Sequence, residues 1–586
     1  MMDQLRTQSL RILVAIVVLF MAAFVLSWIA VPHAEPFFSR LTGTYLIANA
    51  LPLLVVFILV LCLTLRPISS ALWAVSAGTL VVLGSNFKFS IVSQPVLVSD
   101  FLLLGQVIGD TELFGNYFAE QWYLVPVALL VVAASTSVFF FERPLTRGLP
   151  VRIGLAVFAL VAILYLPDWA LKQGSVIQHL YATLDLPSYD RNPIVRVRES
   201  GLFASLARSS SDLYFKLPDR AQGSSANKRK LMALAHRVDG HPESTGAPNH
   251  PDLIVIQNEA FFDFRLIDER FPNEFYAPWD RLKKQAIHGS VQVDTYGGAT
   301  LRTEFSALTG IPLEIFSGGV DYPYYSIVTY PFNSLPRYLR SLGYRTIAIH
   351  PYKATFWDRD RVYPHLGFDE FLSVSAFADN QRDGPYISDA AVCEKVVDVL
   401  RSSSQPAYVF VVTMENHGPW SFERGSPDTS RKFDYIKAPA NMLAFNRYLY
   451  HLGNGMRMAE CLIESLKRRE RPSTLFFFGD HAPALPKIYK ELDLKSPWES
   501  VELRTTPFLA WRSWTGGEQE QELHISYLPS FLLGISGIEM NDFFVANAYL
   551  HERCETRVKD CKLEDELKTG YAELVYDQFA EARATY

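Results

Sequence analysis

The chain has 586 residues, of which 49% are hydrophobic and 20% charged, and its formal net charge is -6. At roughly 100–200 residues per domain there is room for several, and the slightly positive mean hydropathy excludes a uniform soluble protein. The acidic balance argues against a nucleic-acid partner, which would call for a concentrated basic face.

Residues 1–171 hold the apolar part. Ile12–Val31, Thr44–Leu65, Ile68–Phe87, Trp122–Phe141 and Ile153–Ala170 each approach the length that crosses a ~30 Å hydrocarbon core. None carries Lys or Arg, and the only acid is Asp168 at the edge of the fifth. Five membrane spans are therefore predicted, the second and third folded into a hairpin at Arg66-Pro67. The first is too long for a cleaved signal peptide and lacks a small-residue cleavage site. Arg6, Arg11, Arg66, Arg143, Arg147 and Arg152 fall on one side of these spans, whereas the loop at Gly109–Gln121 has Asp110, Glu112 and Glu120 and no Lys or Arg. The positive-inside rule places the N-terminus in the cytoplasm and everything after the fifth span outside. After the third span, Asn86, Lys88 and the amphipathic run Val96–Gln106, with Asp100, fall at the outer interface. Lys88 there either meets a lipid phosphate or simply snorkels.

Residues 172–248 read as a polar connector with short interfacial helices. From Pro251 the pattern changes. The apolar runs Leu253–Ile256, Ser290–Val293, Thr346–Ile349, Tyr408–Val412 and Thr474–Phe478 alternate with amphipathic stretches such as Ser334–Leu342 and Asp389–Arg401. Strands alternating with helices imply crossover connections, so residues 249–545 are predicted as an α/β domain with a largely parallel sheet between helices. Residues 546–586 end in an acidic helix from Leu563. Cys62 lies in a span. Cys393, Cys461, Cys554 and Cys561 form an even set in a compartment where disulfides persist, with Cys554 and Cys561 the nearer pair.

In open α/β sheets the ligand site lies beyond the carboxyl ends of the strands. The residues that follow the five predicted strands are Asn258-Glu259, Asp294 through Thr300, His350, Glu415-Asn416-His417, and Gly479-Asp480-His481. Thr300 follows two glycines and opens the helix-like stretch Leu301–Thr309. It is either a cap or a nucleophile, and as a nucleophile it needs activation. Glu259, Asp480 and His481 offer oxygen and nitrogen ligands to a divalent metal, with Thr300 completing a set of four. Zn²⁺ and Mn²⁺ tolerate that mixture, and Mg²⁺ would want more oxygen. His350, Trp357 and Arg359 supply an acid/base, an aromatic wall and a phosphate clamp. Arg359 could instead pair with Asp358 or Asp360, and Trp357 could be core. His417 is a candidate acid for a leaving alkoxide.

At these residues the chain resembles the lipoteichoic acid synthase and phosphoglycerol transferase group of the alkaline phosphatase (sulfatase-like) superfamily. That resemblance implies five spans followed by an external sulfatase-like domain, with Glu259, Thr300, Asp480 and His481 as the metal-and-nucleophile set. It also implies a glycerophosphate pocket at His350, Trp357, Arg359 and His417. The implied reaction takes phosphoglycerol from phosphatidylglycerol through a phosphothreonine, releasing diacylglycerol, with Mn²⁺ most expected and Mg²⁺ or Zn²⁺ possible. The chain departs from the group at Tyr352, where an acid stands two places after the pocket His. It also departs in adding Arg302 beside the nucleophile as a further substrate-binding candidate. Candidate disulfides and an Arg- and Ala-rich composition point to a Gram-negative inner membrane and to a periplasmic glucan or other surface polysaccharide as acceptor. The alternatives are a phosphoethanolamine transferase acting on lipid A or glycan, and a non-catalytic membrane scaffold or head-group sensor. The Trp-x-Arg pocket argues against the first and the intact Thr300 set against the second.

Overall fold

The computed structural model describes residues 2–30, 42–110, 115, 117, 119, 121–146, 148–170, 175–187, 192–209, 217, 224–237, 250–316, 320–494, 500–554 and 561–584, excepting the side chains of 2–5, 108, 166–170 and 581–584. Glu112, Glu120, Arg147, the side chain of Asp168 and parts of the predicted connector before Pro251 lie outside these residues. The chain forms two compact units, Met1–Tyr214 and Phe215–Tyr586.

The first unit contains helices α1 (Met2–Ile29), α2 (Gly43–Thr64), α3 (Pro67–Val92), α4 (Leu124–Phe141) and α5 (Leu149–Ala170). Among the described residues four are long and apolar enough to cross a membrane, α1 through α4. The fifth expected span is helical, and its described apolar stretch, Leu149–Tyr165, is shorter. The arginines at one end are organised by Glu142, which directly follows α4. Its carboxylate accepts Arg11 at 2.5 Å and caps α3 through the N–H groups of Ile68 (3.1 Å) and Ser69 (2.6 Å), and its carbonyl accepts Arg66 Nε at 2.7 Å. An anion at a helix N-terminus, itself paired with a cation, complements the helix dipole. Lys88 is neutralised by Asp100, Nζ lying 2.8 Å from Oδ2, so it is held within the protein and not offered to a lipid phosphate.

The second unit is the α/β domain. Its sheet has eight strands, β1 (Asp252–Asn258), β2 (Ile287–Gln292), β3 (Arg345–Ile349), β4 (Glu370–Leu372), β5 (Ala407–Val412), β6 (Ser473–Gly479), β7 (Thr505–Arg512) and β8 (Gln519–His524), in the order β8-β2-β7-β6-β1-β5-β3-β4. All neighbouring pairs are parallel except those of β7, which runs antiparallel to β2 and β6. The central strands β1, β5 and β6 are buried along their whole length, which is why they read as unbroken apolar runs. Each fully buried phenylalanine of Phe476–Phe478 contributes about 1.5–3 kcal/mol.

Helices α6 (Ser224–Ala235), α7 (Leu301–Thr309), α8 (Asp389–Ser402), α9 (Pro439–Lys467), α10 (Asp542–Cys554) and α11 (Asp565–Ala584) cover the sheet and its ends. Both disulfides are formed. Cys393–Cys461 staples α8 to α9, and Cys554–Cys561 closes the short loop expected from sequence. The predicted acidic C-terminal helix is α11. It is held against α6 by Lys228–Asp577 (2.5 Å) and by Lys230 with Glu564 and Glu566 (2.8 and 2.6 Å). Tyr571 Oη from α11 and Asn547 Nδ2 from α10 donate to the Gly310 carbonyl at 3.2 and 2.8 Å, fixing the far end of α7.

Candidate functional site

Strand register brings the candidate ligands together. Asn258 of β1 pairs with Gly479 of β6, so the next residues, Glu259 and Asp480, leave the sheet side by side. Gly479 is required there, because a Cβ would lie 1.9 Å from the Phe261 carbonyl oxygen that crosses over the strand end. Asp480 Oδ1 accepts the Ala260 N–H at 2.8 Å, and the Glu259 N–H donates to Thr413 Oγ1, just past β5, at 3.0 Å. His481 Nδ1 lies 3.0 Å from the Ala482 carbonyl, which assigns the proton to Nδ1 and leaves the Nε2 lone pair toward the carboxylates. Nε2 stands 3.2 Å from Asp480 Oδ2 and 3.6 Å from Glu259 Oε1, and one ligand atom from each residue lies within 4.8 Å of the others.

This set fits a divalent cation. All three residues are buried, and Asp480 Oδ2 has no hydrogen-bond partner. Burial pushes the Glu259 carboxyl well above the usual range and the neighbouring Asp480 adds to it, while Arg359 and Arg424 only partly offset this. Burial likewise raises Asp480, against the lowering influence of His481, the Ala260 N–H and the nearby Thr300 hydroxyl. Two crowded buried carboxylates and an imidazole nitrogen make an oxygen and nitrogen donor set suited to Mn²⁺ or Zn²⁺.

Thr300 begins α7. Gly297 and Ala299 before it adopt positive φ, +65° and +56°, which turns the chain sharply into the helix. Thr300 itself is already helical, and its side chain makes no capping hydrogen bond. The capping alternative therefore has no support at this position. Gln257 Nε2 holds the Thr300 carbonyl at 3.4 Å, and Thr303 Oγ1 donates to the Asp480 carbonyl at 3.0 Å, so the helix start is pinned to the ends of β1 and β6.

The second set is wired through a residue the sequence did not single out. Arg359, 1% exposed, pairs with Glu304 of α7 through Nη2 and through Nε (3.2 Å), and not with Asp358 or Asp360. Glu304 also accepts the hydroxyls of Tyr324 (3.0 Å) and Tyr363 (2.8 Å). Arg359 Nη1 donates to His350 Nε2 at 3.1 Å, and His350 Nδ1 donates to the Val412 carbonyl at 3.0 Å. Burial, Arg359 and the nearby His417 hold His350 well below the usual histidine range, so it is neutral. Trp357 is half-buried and stacks on Tyr322. Trp357 and Asp358 both have positive φ, +58° and +53°. Such strain, about 1–3 kcal/mol per residue, collects where surrounding structure over-determines a functional loop. His417 is half-buried with Nδ1 2.8 Å from the Gly418 carbonyl, and Arg424, also missed in sequence, donates to its carbonyl at 2.6 Å.

Arg302 is placed differently from the other candidates. Its Nε and Nη1 go to the carbonyls of Asp294 (3.1 Å) and Val320 (2.9 Å). A further acidic cluster, Asp383, Glu415 and His451, also has metal-ligand spacing. There Glu415 is already met by His451 Nδ1 (2.7 Å), by Asn454 and by the Asp389 N–H (2.6 Å), so its carboxylate is committed to hydrogen bonds within the fold.

The Sulfatase family profile matches residues 251–538, the span that carries β1, α7, β6 and every candidate ligand. Capsular polysaccharide biosynthesis protein RkpI of Rhizobium meliloti is 30% identical over 431 residues, 72% of this chain and 74% of that protein. The chain belongs to the sulfatase-like family. A second R. meliloti protein, named for cyclic beta-1,2-glucan modification, is 28% identical over 327 residues, 53% of this chain and 50% of its own length. Lipoteichoic acid synthase 1 of Bacillus subtilis is 26% identical over 257 residues, 42% of this chain and 39% of its own. The chain thus spans half or less of the length of the latter two. Within this sulfatase-like family its relatives include lipoteichoic acid synthases and a protein named for glycan modification.

Proposed function

We propose that this protein transfers glycerol phosphate from phosphatidylglycerol to an extracytoplasmic glycan, releasing diacylglycerol. The observation that carries the reading is an uncapped, half-turn-fixed Thr300 beside a buried Glu259, Asp480 and His481 set whose Oδ2 lacks a partner. A divalent cation held by Glu259, Asp480, His481 and Thr300, Mn²⁺ in our reading, would supply charge stabilisation at the phosphoryl oxygens and acidify the hydroxyl. Thr300 Oγ1 gives up its proton to solvent and attacks phosphorus, and the P–O bond to the diacylglycerol oxygen breaks. His417 Nε2 gives that oxygen its proton and later takes one from the acceptor hydroxyl, whose oxygen displaces Thr300 Oγ1 from phosphorus; Thr300 regains its proton from solvent. His350, neutral and braced by Arg359, accepts a hydrogen bond from a glycerol hydroxyl once Arg359 Nη1 turns to the phosphate, and Trp357 walls the head group.

The N-terminus lies in the cytoplasm and the sulfatase-like unit outside the cell membrane, where donor lipid and glycan meet. The polysaccharide-related names of two relatives support a glycan acceptor, with a periplasmic glucan first among candidates. The test is to give the purified full-length protein Mn²⁺ and head-group-labelled phosphatidylglycerol or phosphatidylethanolamine, and to follow diacylglycerol release and label transfer. Turnover of phosphatidylglycerol is expected. Turnover of phosphatidylethanolamine alone would overturn the donor, and turnover of neither would favour a non-catalytic role.

A further inference from the structure

Residues 320–328 form a strap beside the start of α7, and each end is tied by an arginine. At one end Arg302, two residues beyond Thr300, donates from Nη1 to the Val320 carbonyl at 2.9 Å and lies 3.6 Å from the Asp321 carboxylate. Its Nε reaches back to the Asp294 carbonyl at 3.1 Å, in the turn that leads into the nucleophile helix. At the other end Arg361 donates to the carbonyls of Tyr324 and Val328, each at 2.8 Å, and lies 3.4 Å from Asp358. Between the two ties Tyr322 lies against the indole of Trp357, with ring centroids 5.5 Å apart and planes 22° from parallel.

These contacts link the start of α7 to Trp357. Trp357 and Asp358 hold a left-handed backbone, which an aspartate tolerates and a bulky tryptophan rarely adopts. The groups that keep it are Arg361 on Asp358, Tyr322 behind Trp357, and Arg302 on Val320 and Asp321, the residues that lead into Tyr322. Arg302 suits that task because its planar fork serves two carbonyls in different directions at once, which the point charge of a lysine cannot. Its polar contacts go to backbone oxygens and to Asp321, and none goes to Glu259, Asp480, His481 or Arg359.

We propose that Arg302 is a positioning residue for head-group recognition. It fixes the strap, and through Tyr322 it sets how far Trp357 stands from Thr300. This rests on the reading of Trp357 as a wall of the head-group pocket. It further states that Arg302 acts on donor binding and not on the phosphoryl group, although it sits only two residues from the nucleophile.

The test uses the full-length protein with Mn²⁺ and phosphatidylglycerol in mixed micelles, and the variants Arg302→Ala, Arg302→Lys and Tyr322→Leu. Each is expected to raise KM about tenfold while kcat stays within about threefold, since a binding wall is loosened and the chemistry is not. Arg302→Ala combined with Tyr322→Leu should be no worse than the poorer single variant, because both act along one path. Trp357 emission, isolated by subtracting the spectrum of Trp357→Phe in each background, should shift to longer wavelength in all three. A wild-type KM in Arg302→Lys, a fall in kcat at unchanged KM, or additive effects would overturn the proposal. If the wild-type protein turns over no phosphatidylglycerol, the donor reading fails by itself. The emission measurement still decides the strap, and a Trp357 signal unmoved by Arg302→Ala would overturn it.

Discussion

Replacing Glu304 by glutamine should cost more than almost any other isosteric change in the catalytic unit. Glu304 is fully buried and accepts from Arg359 Nε, Arg359 Nη2, Tyr324 Oη and Tyr363 Oη. A glutamine keeps one oxygen with two lone pairs, and its amide N–H groups meet donors where the second oxygen stood. With the amide oxygen in the Oε2 position, which takes three of the four donors, Arg359 Nη2 still loses its acceptor, at about 1–3 kcal/mol. Arg359 simultaneously loses its counter-charge in a site that is 1% exposed, and breaking a buried pair from one side costs about 3–5 kcal/mol. These contributions describe the same loss, so the expected destabilisation is about 3–5 kcal/mol and not their sum. The assay is urea unfolding of the full-length protein in detergent, followed by tryptophan fluorescence and read as a midpoint shift at constant slope. Arg359→Gln should cost a similar amount, and the double variant less than the two together by at least about 2 kcal/mol. A Glu304→Gln protein within about 1 kcal/mol of wild type, or additivity with Arg359→Gln, would refute the reasoning.

Three further outcomes follow from the same geometry. His350 is depressed by burial and Arg359, so the unfolded chain takes up a proton the folded site resists. Its contribution to stability is full above about pH 6.5 and declines as pH falls below that value, and His350→Asn should shrink the stability difference between about pH 7.5 and about pH 5. An unchanged difference would contradict this. The Cys393–Cys461 bridge closes a separation of 68 residues and Cys554–Cys561 one of 7. On the chain-entropy argument they contribute about 4 and about 2 kcal/mol, so the Cys393→Ser/Cys461→Ser protein should show the larger loss in denaturant, and equal losses would count against it. Titration calorimetry of chelator-treated protein with Mn²⁺ should find a site that Asp480→Asn abolishes, together with a thermal midpoint that Mn²⁺ raises only in the wild type. Undiminished binding in Asp480→Asn would remove that residue from the ligand set.

The parts of the fold that were legible in sequence are those where burial leaves one solution. The five predicted strands correspond to β1, β2, β3, β5 and β6, because central parallel strands need apolar residues on both faces. The three strands that escaped notice lie elsewhere. β4 is a three-residue edge, β8 is the polar run Gln519–His524, and β7 contains Pro507 and runs against its neighbours. β4 and β8 present no unbroken apolar run, and the buried run Phe508–Trp511 of β7 is headed by Pro507, which marks an edge or a break in a strand pattern. The Glu259, Thr300, Asp480 and His481 grouping was visible because each residue directly follows a strand or a glycine turn. Glu304 was not, since an acid four residues into an amphipathic helix looks like a solvent-facing residue. Only the tertiary approach of Arg359, Tyr324 and Tyr363 reveals that it is a hub. Lys88 shows the converse, a cation that reads as lipid-facing and is paired with Asp100 twelve residues on.

The central claim is that Thr300 carries the phosphoryl group. The most direct measurement is mass spectrometry of the Thr300 peptide after brief reaction of the full-length protein with Mn²⁺ and phosphatidylglycerol, without acceptor. A glycerophosphate ester on Thr300, absent from Thr300→Ala and lost when a glycan acceptor is added, is the predicted result. Diacylglycerol release that persists in Thr300→Ala, with no adduct on the wild-type peptide, would contradict it.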